Sequence, residues 1–151
     1  MRQEDDLTEK CAEIITERMV KYMRRQDEHN LQVACVRWFN LQYPQYRGLL
    51  FAVPNGSYRN LVTAAKLKAE GVTPGVADLL LLVPGFGISE LKDGYLAKEC
   101  HALCIEMKTK RGYQSQAQKE WQKKVEEYGY KYAVCRSVEE FIKEINYYLD
   151  S

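Results

Sequence analysis

The chain has 151 residues and 46% hydrophobic side chains, so it is long enough to bury one core without disulfides or a structural metal. Its 22 basic and 21 acidic side chains leave a formal net charge of +1, so attraction of a polyanion by overall charge is weak and any nucleic-acid binding must come from local clusters. No apolar run approaches the length that crosses a bilayer, and the N-terminal MRQEDDLTEK lacks the apolar segment of a secretory signal. We therefore predict one soluble domain over residues 1–151, located in the cytoplasm and without a membrane partner.

The first half of the chain predicts three helices and two strands. Apolar residues recur at helical spacing over 7–25, so a helical N-terminal extension is expected over residues 1–26. A second helix should begin near Asp27 and end before Pro44. The next segments predict a strand over 49–53, a helix over 59–70 closed by a C-terminal glycine, and a buried strand over 77–83.

The second half predicts a hairpin or loop, then alternating strands and helices. Residues 84–98 are polar and contain glycine, which suits a hairpin or loop, and residues 101–108 predict a strand. A helix over 115–128, a strand over 132–135 and a helix capped by Ser137 follow. The strand, helix, strand passage requires a parallel crossover. We therefore expect an α/β fold with a mixed four-stranded central sheet flanked by helices.

The five cysteines are an odd number, widely scattered and mostly set within apolar runs, so free thiols are expected. The close spacing of Cys100, His101 and Cys104 raises a zinc site as an alternative. That alternative is disfavoured because no second close-spaced pair of ligands accompanies them.

Two acids and a lysine stand at the ends of the two most apolar predicted strands. Asp78 opens the strand over 77–83, and burying an unpaired carboxylate there is costly unless a cation compensates it. Glu106 and Lys108 close the strand over 101–108 and share one of its faces. Hydrolysis of a phosphodiester needs such a set, with hard oxygen ligands for Mg²⁺ and a cation near the attacking water. The alternatives are an exposed ion pair for the last two residues and a simple turn residue for the first.

Five short segments together resemble the virus-type replication-repair nucleases (VRR-NUC), a branch of the PD-(D/E)XK nuclease superfamily. The resemblance covers about residues 27–149 and the combination is more specific than any one piece. The segments are EHNLQ at 28–32, PNG at 54–56, GVAD at 75–78, IEMK at 105–108, and SQAQKEW at 115–121 followed by Gly129.

The resemblance implies a restriction-endonuclease-like core over 27–149 and a DNA endonuclease that depends on Mg²⁺ or Mn²⁺. It assigns metal binding to Asp78 and Glu106, with Glu28 completing the site, and it makes Lys108 the catalytic lysine. It places Gln118 close to the substrate or to that lysine. It also implies a homodimer that acts on branched DNA. This sequence departs from the family pattern at Ala77, where proline is usual, which bears on the shape of the loop.

Several supporting residues have two interpretations. Gln118 also completes a helix capping box with Ser115, and its structural and functional roles are weighed equally. Candidate substrate contacts, each as readily part of a solvated loop, are Asn55, Arg59, Lys110, Arg111 and Ser115. The competing function is a catalytically silent nucleic-acid-binding module with the same fold.

Overall fold

The computed structural model describes residues 27–54, 61–91 and 94–150. The helix predicted over 7–25 and two of the candidate substrate contacts, Asn55 and Arg59, lie outside these ranges.

Four helices and six strands occupy the described residues, apart from one 3₁₀ turn at Pro44–Tyr46. In chain order they are α1, described over 27–42; β1, Leu50–Ala52; α2, Leu61–Ala69; β2, Leu79–Leu81; β3, Gly85–Leu91; β4, Gly94–Cys100; β5, Leu103–Met107; α3, Gln116–Glu127; β6, Lys131–Cys135; and α4, Val138–Asp150.

The predicted local signals are present at the ends of the last two helices. Ser115 precedes α3, its side chain accepts the N–H of Gln118, and the Gln118 side chain accepts the N–H of Ser115, so the capping box is complete. The helix ends before Gly129, which has φ +83. Before α4, the Ser137 hydroxyl accepts the N–H of Glu140 at 3.1 Å. These contacts explain why the helices begin where the sequence predicts.

The central sheet has four strands in the order β1-β2-β5-β6, which confirms the predicted mixed four-stranded α/β fold. β1 with β2 and β2 with β5 are antiparallel, whereas β5 and β6 are parallel and are joined through α3. The uncertain segment over 84–98 contains most of a separate two-stranded hairpin of β3 and β4. The predicted order therefore lacked these two strands, because the glycines and polar residues of this segment also suit a loop.

Helices cover both faces of the sheet. On one face, α1 and α4 pack against alternate residues of β5 through side chains such as Phe39 and Phe141. On the other face, Trp121 of α3 packs against the smaller cluster of Ala77, Cys104 and Tyr132. Since every residue of β5 is buried, this strand lies at the centre of the domain.

The described part of the chain contains no helix that is both long and apolar enough to cross a membrane. Four cysteines fall in the described ranges, and all four are buried free thiols: Cys35, Cys100, Cys104 and Cys135.

Candidate active site

The antiparallel pairing of β2 with β5 brings the predicted acids to one edge of the sheet. Leu79 pairs with Ile105, so the start of β2 lies beside the end of β5. Asp78, which precedes β2, accepts the backbone N–H of Met107 through Oδ2 at 2.8 Å. This bond ties the first acid to the strand that carries the second. Asp78 therefore does more than form the turn after Gly75.

Glu106 is completely buried and its two carboxylate oxygens have different partners. Oε1 lies 2.8 Å from Nζ of Lys108 and also accepts Nε2–H of Gln118. Oε2 accepts the hydroxyl of Tyr132 at 3.3 Å. The Lys108 side chain is only 13% exposed, so this pair is not the exposed surface ion pair that the sequence left open. We call Asp78, Glu106 and Lys108 the acid-lysine cluster.

Glu28 lies at the margin of the acid-lysine cluster. Its Oε1 accepts the backbone N–H of Thr109 at 3.4 Å, across 81 positions of sequence. Its charge also acts on Lys108. A Cβ added to Gly112 would lie 3.4 Å from the same carboxylate oxygen and 3.3 Å from Cδ of Lys108. The short turn after β5 therefore packs closely against both side chains.

Burial dominates the electrostatics of the two acids. Desolvation, followed by the charge of Asp78, raises the pKa of Glu106 to about 7, although Lys108 and Tyr132 act in the opposite direction. Desolvation also raises the pKa of Asp78, with the Met107 N–H and Lys108 opposing it. Burial alone would lower the pKa of Lys108, but Glu106, Glu28 and Asp78 together raise it. The lysine is thus held as a cation between carboxylates.

Gln118 completes the predicted capping box, and its side chain also contacts the acid-lysine cluster. Its Oε1 accepts the N–H of Ser115 at 2.7 Å, while its Nε2 donates to Glu106. The two ends of one amide therefore cap α3 and hold the buried acid, so the start of this helix is fixed relative to β5.

The other predicted substrate contacts differ in their positions. Lys110 and Arg111 are exposed and line a cleft that begins beside Lys108. Ser115 is exposed and its hydroxyl is used as a helix cap. Ala77, at the position where the family pattern has proline, is fully buried against α3 and β6.

Two side chains that the sequence analysis did not select also contact this region. Tyr132 in β6 donates to Glu106, and Arg136 donates through Nη1 to the carbonyls of Thr109 and Gly112 at 2.9 and 2.6 Å. Tyr132 lies in β6, the strand parallel to β5, and Arg136 directly follows that strand. A motif in a single sequence cannot identify them, because the tyrosine reaches the acid only through the β5-β6 register, which pairs Tyr132 with Cys104, two residues before Glu106.

The donor set suits a magnesium ion held jointly with a substrate. Asp78 and Glu106 offer hard carboxylate oxygens close to each other, and Glu28 adds a carboxylate at the backbone N–H of Thr109, the residue after Lys108. Over residues 27–54, 61–91 and 94–150, no three His, Cys, Asp or Glu side chains are placed to enclose a metal by themselves. Mg²⁺ usually keeps several waters and needs only one or two carboxylates besides substrate oxygens. A bound cation would also offset the burial and the charge of Asp78, which together raise the pKa of Glu106.

A mixed sheet flanked by helices, with two acids and a lysine at the ends of its central strands, is the arrangement of a restriction-endonuclease-like domain. The chain belongs to the VRR-NUC domain family, whose model matches residues 15–139. A solved structure described as a VRR_NUC domain protein has 24% sequence identity and a TM-score of 0.63, and the match covers 82% of this chain and 88% of that one. That likeness shows a shared fold. No curated protein matches the chain. Membership of this family makes the protein a member of a nuclease family.

Proposed function

We propose that the protein is a DNA endonuclease that depends on Mg²⁺ or Mn²⁺ and hydrolyses phosphodiester bonds at the acid-lysine cluster. The observation that carries this proposal is the burial of Glu106 between Asp78 and Lys108. An acid is costly to bury, and its retention in a fully buried strand favours a functional role over a structural one. Family membership supports the nuclease class.

The residues of the cluster have separate tasks in this proposal. Asp78 and Glu106 would hold the metal, with Glu28 completing its surroundings. When bound, the metal would stabilise negative charge on the phosphate and favour deprotonation of water. Lys108, kept protonated by the surrounding acids, donates to the attacking water or to a phosphate oxygen. Water adds to phosphorus, one ester P–O bond breaks, and the departing oxygen receives a proton.

Neighbouring groups position the two acids rather than react. Gln118 and Tyr132 hold the two oxygens of Glu106, and the Met107 N–H holds Asp78. Because these donors come from three different elements, they preorganise the cluster before substrate arrives.

The proposed substrate is branched DNA and the proposed assembly is a homodimer. Both rest on the sequence resemblance, and a two-fold assembly suits a substrate with two related strands. Light scattering should give twice the mass of one chain. The amphipathic N-terminal segment is the candidate for additional packing, and a variant lacking residues 1–26 with unchanged mass per particle would reject that candidate.

The test is cleavage of labelled duplex, flap and four-way-junction DNA with Mg²⁺ or Mn²⁺. We expect Glu106→Gln and Lys108→Ala each to lower the rate by about 100-fold or more, the range seen when a charge-stabilising group is removed. The matched controls are Glu70→Gln and Lys66→Ala, which disrupt an exposed ion pair of the same type at 3.8 Å. They should cleave at the wild-type rate.

Calorimetry with Mn²⁺ separates the possible failures. Binding that disappears in Asp78→Asn and Glu106→Gln supports the metal assignment independently of turnover. Wild-type protein that binds branched DNA but never cuts it with either metal would replace this proposal with the silent binding module. Cleavage that survives both cluster variants would place the activity elsewhere.

A further inference from the structure

The cleft lined by Lys110 and Arg111 adjoins the acid-lysine cluster. Its volume is about 430 Å³, and α1 and the segments that follow β5 and β6 form its walls. The cleft begins next to the acid-lysine cluster, because its lining includes Thr109, which follows Lys108 in the chain. It also includes Asp27, which precedes Glu28 on α1. The lining residues are Asp27, Leu31, Thr109, Lys110, Arg111 and Arg136.

Arg136 organises the wall that carries the other two cations. Its Nη1 donates to the carbonyls of Thr109 and Gly112, at the two ends of a turn that is closed by the Gly112 N–H and the Thr109 carbonyl at 3.0 Å. Its own backbone N–H donates to Glu140 at 2.7 Å, so the residue is anchored at the start of α4. Lys110 and Arg111, the middle residues of that turn, are thereby held in the cleft.

The charges of the cleft favour an anion. Lys110, Arg111 and Arg136 supply three cations, while Asp27 is the one carboxylate in the lining. Carbonyl acceptors satisfy guanidinium N–H groups without cancelling their positive charge, and arginine does not lose its proton in proteins. The lining is therefore net positive, although the carboxylates of Glu139 and Glu140 lie beside it at the start of α4 and the protein as a whole is almost neutral.

We propose that this cleft binds a backbone phosphate of the DNA, on the same strand as the phosphate that is cut and close to it. Arg136 is the positioning residue for Lys110 and Arg111. The proposal rests on the proposed function and deepens it. The cleft lining starts at Thr109, the residue after Lys108, so a phosphate bound there would lie within a few positions of the one that is cut.

The test measures DNA binding with Ca²⁺ in place of Mg²⁺ or Mn²⁺, so that turnover does not enter. Fluorescence anisotropy follows the most tightly bound DNA of the panel over a range of salt. The variants are Lys110→Ala with Arg111→Ala, and Arg136→Lys. The control is Lys143→Ala, an exposed cation on α4 outside this cleft. Urea unfolding of each variant shows whether the fold is kept.

We expect the double variant to bind about tenfold more weakly and its salt slope to fall by about one, as one charge-assisted phosphate contact predicts. Lys143→Ala should match wild type. Arg136→Lys keeps the charge but loses the paired bonds to the turn, so affinity should still fall several-fold.

A methylphosphonate scan locates the phosphate. Neutralising one particular phosphate should weaken DNA binding by the wild type. It should not change DNA binding by the double variant, because that variant has already lost its contact with this phosphate. Wild-type affinity and slope in the double variant, or no coupling at any phosphate, would overturn the proposal. If inorganic phosphate displaced DNA equally well from the wild type and from the double variant, the proposal would also be overturned. Binding with this coupling but without cleavage would contradict the proposed function alone.

Discussion

The Gln118 side chain links the cap of α3 to the buried acid: its amide nitrogen donates to Glu106 while its oxygen closes the cap. A change at this position therefore alters a helix end and an acid at once. The two effects can be separated, because the capping box also accepts glutamate at the same place.

We predict that Gln118→Glu keeps the cap but lowers cleavage by at least about tenfold, because a second carboxylate replaces a donor beside Glu106. Gln118→Ala should lose both contacts, and removing the cap should cost about 1 kcal/mol of unfolding free energy. Cleavage rates and urea unfolding of the two variants distinguish these effects. Wild-type cleavage by Gln118→Glu would show that the amide donor is not needed.

Gly75 controls how closely α3 approaches the loop before Asp78. It has φ +84, and an added Cβ would overlap the carbonyl of Ala117 and lie 2.9 Å from the N of Gln118. Gly75→Ala should therefore destabilise the fold by about 2 to 3 kcal/mol and reduce cleavage. The matched control is Gly71→Ala, where φ is +96 but nothing lies within 4 Å of the added Cβ. That variant should cost only about 1 kcal/mol and cleave normally. Equal losses of stability in urea unfolding would contradict the packing argument.

Tyr132 stabilises the charged form of Glu106, because its hydroxyl donates to Oε2. We predict that Tyr132→Phe lowers stability by about 1 kcal/mol and moves the acidic limb of the cleavage pH profile to higher pH. The control is Tyr128→Phe, since Tyr128 is 69% exposed. The acidic limb should not move in the control. If it also stayed in place in Tyr132→Phe, the tyrosine would have a packing role only.

Without metal, stability should depend on pH through Glu106. Burial and Asp78 raise its pKa from 4.5 to about 7, so between these values the folded protein holds the proton more tightly than the unfolded chain does. The contribution is complete below about pH 4.5 and is lost as the pH rises through about 7, on the order of 3 kcal/mol in all. Urea unfolding with a chelator at pH 5 and 8 should show this loss in wild type and a smaller one in Glu106→Gln. The same change in both proteins would refute this assignment.

The sheet and the acid-lysine cluster were predictable because their signals are local. The apolar strand that follows Asp78 and the alternating residues around Glu106 and Lys108 each occupy one short segment. Capping residues likewise marked the starts of α3 and α4. The β3-β4 hairpin was less certain, since its glycines and charged residues suit a loop equally well until β3 packs against α4.

Contacts between distant segments were not predictable. The contribution of Tyr132 depends on the parallel register with β5, and that of Arg136 depends on a turn 24 to 27 positions earlier in the chain. The two contacts of Gln118 differ in the same way. Its cap is a local pattern, whereas its bond to Glu106 requires the completed packing of α3 on the sheet.

The late position of β6 in the chain also bears on protein synthesis. Asp78 emerges from the ribosome well before Glu106, and Tyr132 follows later still, because the chain is made from the N-terminus. A nascent chain that stops before β6 therefore carries both acids without the hydroxyl that donates to Oε2 of Glu106. The set of hydrogen bonds around Glu106 is complete only after β6 has been translated.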